Sequence, residues 1–111
     1  MTIAEGNMYL LKVGMDRVLG KVLVTEVKES LILGELEKGP DFHLFQDLFQ
    51  EHERAANDQL LSIADEIEDR IQALNPHVSS EKEKVATSVY DLQIMGETDV
   101  SFRLSPFDPA S

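Results

Sequence analysis

The chain has 111 residues, 42% of them hydrophobic, no cysteine, and 21 acidic against 10 basic side chains, for a net charge of −11. That length suits one domain spanning 1–111 that buries roughly two thirds of its unfolded surface. The missing cysteine excludes disulfides, thiolate nucleophiles, zinc ribbons and iron–sulfur clusters, and the negative charge disfavours nucleic acid and anionic membrane surfaces as partners.

Met1 to Gly6 carries no basic or apolar leader pattern. The longest apolar runs, such as Val22-Leu23-Val24 and Leu31-Ile32-Leu33, fall far short of the ~20 residues that cross a bilayer, so a cytoplasmic location is expected. The first element is a strand from Met8 to Val13, with Tyr9, Leu11 and Val13 on one alternation and Gly14 closing it. Leu19–Val27 and Leu31–Leu36 are rich in Val, Ile and Leu and flank Lys28-Glu29-Ser30, which reads as a hairpin turn without the usual Gly or Asn.

Gly39-Pro40-Asp41 ends the first strand region, within 8–37, and offers Asp41 as a helix N-cap; Asn75-Pro76 supplies the stop. Between them Phe45, Phe49, His52, Ala56, Leu60, Ile63, Ile67, Ile71 and Leu74 recur with a period close to 3.6, as one long amphipathic helix over 42–74 requires. Asp47, Glu51, Asp58, Asp65 and Asp69 gather on the opposite side of the same wheel as an acidic face. Asn57-Asp58 would serve a split into two shorter helices, but the stripe keeps its phase there, which favours one helix. Residues 40–84 hold eleven acids and four bases, so the middle of the chain carries most of the charge.

Ser79 to Lys84 reads as an exposed linker. The last strands fall within 85–104, where Tyr90, Leu92 and Ile94 alternate, then Val100, Phe102 and Leu104, joined by Gly96-Glu97-Thr98-Asp99. Residues 105–111 read as a tail. The expected fold is therefore α+β: a small antiparallel sheet or open barrel of order β-β-β-α-β-β, with the long helix between strands 3 and 4. An OB-like barrel shares that order, as do other sheets covered by one helix.

A helix of that span is about 50 Å long at 1.5 Å per residue, against a radius of gyration of about 13 Å for a compact chain of this size. Five short strands cannot cover it, so the same helix of a second copy is the expected shield and a homodimer the expected assembly. His52 and Arg70 project from one edge of the stripe, where an antiparallel pair would bring them together. The expected contact residues are Phe45, Phe49, His52, Leu60, Ile63, Ile67, Arg70 and Ile71. The acidic face is a solvated surface or a docking site for a basic protein.

The three histidines head any list of catalysts or ligands. His43, Asp47 and Glu51 follow i, i+4, i+8 along one helical edge, yet no second element offers matching ligands and H-E-x-x-H is absent. His52 in an apolar stripe fits a buried histidine satisfied by one hydrogen bond, with Glu51, Glu53 or Arg54 as local partners. His77 beside Pro76 has no constellation. No G-x-S-x-G elbow, P-loop or G-x-G-x-x-G occurs. No catalytic residue, metal or cofactor is assigned. The expected function is a non-enzymatic protein–protein interaction module that self-associates through its helix; the alternative is a small-ligand or metal-binding enzyme using the helix histidines and carboxylates.

Overall fold

The structure, a computed structural model, describes residues 3–15, 17–80 and 86–105. Its strands are β1 (Met8–Val13), β2 (Arg17–Lys28), β3 (Leu31–Lys38), β4 (His77–Ser79), β5 (Thr87–Ser88), β6 (Tyr90–Met95) and β7 (Asp99–Arg103), and its α-helices are α1 (Gln46–Asn57) and α2 (Leu61–Ala73). The strands form one antiparallel sheet curled into a half-barrel, in the order β5-β4-β1-β2-β3-β7-β6. The three N-terminal strands follow the sequence reading because a period of two puts Tyr9, Leu11 and Val13, then Val22 and Val24, on the buried face. The β2–β3 turn lacks glycine, and Glu29 takes a positive φ of 54° to close it.

The expected fold fails at the strand count and at the helix. Two short strands, β4 and β5, extend the sheet past β1: Leu10, Leu11 and Lys12 pair with Ser79, Val78 and His77, which pair onward with Thr87 and Ser88. Ser79, expected in an exposed linker, lies in β4 and is buried; residues 81–84 of that linker fall outside the described residues, as do residue 85 of the expected strand region and 106–111 of the expected tail.

The single helix over 42–74 is replaced by a 3-10 turn at Phe42–Leu44 and two short helices. Asp41 does not cap it by side chain: its carboxylate accepts from the Val18 N–H at 3.0 Å and sits 3.7 Å from Arg17, tying the entry of the helical segment to β2. The break at 58–60 has a specific cause. Gln59 takes φ 58°, its N–H donates to Ala56 O, and the Leu60 N–H reaches back to Ala55 O. Those two bonds are a Schellman closure, which consumes the last carbonyls of α1 and turns the chain away. α2 ends similarly at Asn75, φ 58°, so the expected stop before Pro76 holds.

Gln59 occupies a position where glycine carries no Cβ penalty. Gln59→Gly is expected to raise unfolding free energy in urea by about 1 kcal/mol, whereas in a continuous helix the same change would cost about that much.

The core lies between the buried sheet face and the helical pair. Leu11, Leu19, Val22, Ile32, Leu92 and Phe102 meet Phe42, Phe49, Ile67 and Ile71 from the helical segment. The Gly14 N–H donates to Leu74 O and the Gln72 amide to Val89 O, so the end of α2 is held to the turn after β1 and to the residue between β5 and β6.

Candidate functional site: the helical hairpin

α1 and α2 pack on each other and on β6, linked by only three residues, so the sequence from Gln46 to Ala73 is a hairpin rather than a rod. The break resets the helical phase. Before it, Phe49, His52 and Ala55 are buried; after it, Ala64, Ile67 and Ile71 are. Ala55 and Ala64 are the small residues of this set and supply little bulk to hold the helices apart.

Of the expected contact residues, Phe49, His52, Ile67 and Ile71 are spent inside the molecule and Phe45 is half-buried. Phe49 stacks on Phe42 with ring centroids 6.2 Å apart, and Lys38 Nζ lies 5.1 Å over the Phe42 ring. Leu60 and Ile63 are 46% and 48% exposed, and Leu61, which periodicity placed off the stripe, is 70% exposed. Arg70 is exposed and His52 is 1% exposed, so the two do not share an edge. With the helix broken, its length no longer implies a second copy.

Asp47, Glu51, Asp58, Asp65 and Asp69 are all exposed, and none forms an ion pair among the described residues. They are divided between two helices instead of lining one. From Gln46 to Ala73 the hairpin has eight acids and two arginines. His43 sits exposed in the 3-10 turn ahead of α1, so the proposed His43–Asp47–Glu51 edge is not one continuous helical line. Among the described residues no three His, Asp or Glu side chains are placed to hold a metal ion.

The buried polar centre of the hairpin is His52. Its Nε2 lies 3.1 Å from Glu68 Oε1 on α2, so the partner is across the hairpin rather than Glu51, Glu53 or Arg54 beside it. A carboxylate only accepts, so Nε2 carries the proton; Nδ1 is buried with no partner. No periodicity singles out Glu68, because the contact exists only once the chain folds back. Glu68 borders two open polar clefts. One is lined by Asp69, Gln72, Asp91 and Leu92; the other by Leu31, Leu33, Asp91, Gln93, Ser101 and Arg103. The His52 ring lines neither, which leaves it a packing and tethering role.

Substituting His52 by leucine removes one hydrogen bond to a half-exposed carboxylate, about 1 kcal/mol, and also removes an orphaned buried nitrogen whose burial costs about 1–3 kcal/mol. His52→Leu is therefore expected to be neutral or stabilising in chemical denaturation, and Glu68→Ala to cost about 1 kcal/mol by leaving both ring nitrogens unpaired.

His77, expected in a loop, is in β4, and its Nδ1–H donates to Asn75 O at 2.9 Å. No helix among the described residues is long and apolar enough to cross a membrane. Comparison of the chain with protein-family models, with curated proteins and with solved structures returns no match.

Proposed function

We propose that the protein is a non-enzymatic module acting through protein–protein contact, with the tip of the helical hairpin as its contact surface and the cytoplasm as its location. The observation that carries this reading is the start of α2. Leu60, Leu61 and Ile63 put three large exposed apolar side chains within four residues at the turn between the helices, and Leu60 and Ile63, three residues apart, are neighbours on the helix surface.

The same residues cost the fold stability. Leu60 occupies the N-cap position of α2 and makes no side-chain cap bond. Serine or aspartate there would satisfy a free N–H and gain about 1 kcal/mol. A local choice that opposes stability at an exposed apolar site fits selection for contact. The clefts beside Glu68 are open and polar, and the buried histidine stands back from them, which favours a contact module over the ligand-binding enzyme.

The test is a comparison of immobilised wild type with Leu61→Ser/Ile63→Ser. Both positions are exposed, so the double variant should unfold within about 0.5 kcal/mol of wild type. It should lose a protein that wild type retains from extract of the source cell; identical retained sets would contradict the reading.

A further inference from the structure

Resting on the contact-module reading, we infer that the hairpin tip docks a basic partner protein: a segment with an apolar centre and a rim of lysine or arginine, rather than a second copy of this chain. The apolar centre is matched to Leu60, Leu61 and Ile63. The rim follows from what surrounds them. Asp65 is one helical turn beyond Leu61 and Glu66 is three residues beyond Ile63, spacings that place each carboxylate beside its apolar neighbour on the helix surface. Asp58 ends α1 on the other side of the turn, and all three are exposed.

The α2 dipole contributes roughly half a positive charge at this end, which three carboxylates outweigh. Neither Asp58, Asp65 nor Glu66 is committed to an ion pair among the described residues, so each is free to meet a cation. A second copy would bring the same three charges against these three, and the chain as a whole carries −11. Like charges within a screening length of about 8–10 Å oppose that pairing, whereas a basic rim is attracted and oriented by the same field. An anionic lipid surface is repelled on the same grounds.

The probes are two synthetic amphipathic peptides of one pattern, leucine–lysine and leucine–glutamate, titrated against the full chain by fluorescence anisotropy at about 0.05 and 0.3 M salt. The lysine peptide should bind saturably and the glutamate peptide should not. Leu61→Ser/Ile63→Ser should weaken binding at least tenfold at both salt concentrations. Asp65→Asn/Glu66→Gln should weaken it mainly at low salt and flatten the salt dependence. Leu60→Ser separates contact from folding: it should raise the thermal midpoint while weakening binding several-fold.

Lysine-peptide binding unaffected by the tip variants, or equal binding of the glutamate peptide, would overturn the inference. Should sedimentation instead show a dimer that Leu61→Ser/Ile63→Ser turns to monomer, the basic partner falls and the contact module stands. If neither peptide binding nor self-association depends on the tip, both fall.

Discussion

Phe49→Ala is expected to lower unfolding free energy by about 3–5 kcal/mol, a large part of the roughly 5–15 kcal/mol that holds a domain of this size together. Phe49 is 2% exposed and stacks on Phe42, which enters the core from the 3-10 turn, so its removal leaves a void where the hairpin joins the sheet. The informative control is Ile63→Ala. Periodicity puts both residues on one apolar stripe and would give them similar weight. The structure leaves Ile63 half in water, and its truncation should change stability by no more than about 0.5 kcal/mol. Equal losses at the two positions, read from urea midpoints, would mean that Ile63 is packed and the hairpin assignment is wrong.

The second large effect is in the sheet. Gly34 pairs with Val24 on one side and Val100 on the other, beside the irregularity where β2 carries Thr25 as an extra residue. A Cβ at Gly34 would stand 2.5 Å from Leu23 O and 2.9 Å from Val22 Cγ1. The first is backbone and cannot rotate away, so Gly34→Ala must push β2 from β3, at a cost of about 1–3 kcal/mol or more. Gly96 is the contrast: it has φ 61° but open space around its Cα, so alanine there costs only the left-handed conformation, about 1 kcal/mol. A Gly34→Ala variant as stable as wild type would show that β2 and β3 approach less closely than described.

The long strands were legible because alternation needs only the chain itself. Tyr9, Leu11 and Val13 alternate and are buried, and Val100 and Phe102 repeat the pattern in β7. β4 and β5 were not legible. Three and two residues of mostly polar sequence carry no period, and they are strands only because β1 offers an edge for His77–Ser79 to pair with. Val78 and Val89, both fully buried, are apolar residues of that stretch that hint at burial without giving a period.

The helix break was hidden for a different reason. A Schellman closure is made by backbone bonds, and at Gln59 the residue that usually announces it, glycine, is absent. Asn57-Asp58 marks the right place, but the apolar period runs on through Leu60 and Ile63 and so implies one continuous helix. Of the expected contact residues, Leu60, Ile63 and Arg70 are exposed, Phe45 is half-buried, and Phe49, His52, Ile67 and Ile71 are used in the interior.

The central claim is that residues 46–73 fold back on themselves and present residues 60–63 at the tip. It is tested most directly by a distance. Because the chain has no cysteine, Asp47→Cys/Asp69→Cys gives two thiols for spin labels, both at exposed positions, one on each helix. A continuous helix would hold the two backbones about 33 Å apart, at 1.5 Å per residue. Packed helices of a hairpin lie about 8–10 Å apart, so the label distance should fall below about 25 Å. A narrow distribution in that shorter range is the expected result, and one centred near or beyond 33 Å would contradict the hairpin and the contact surface built on it.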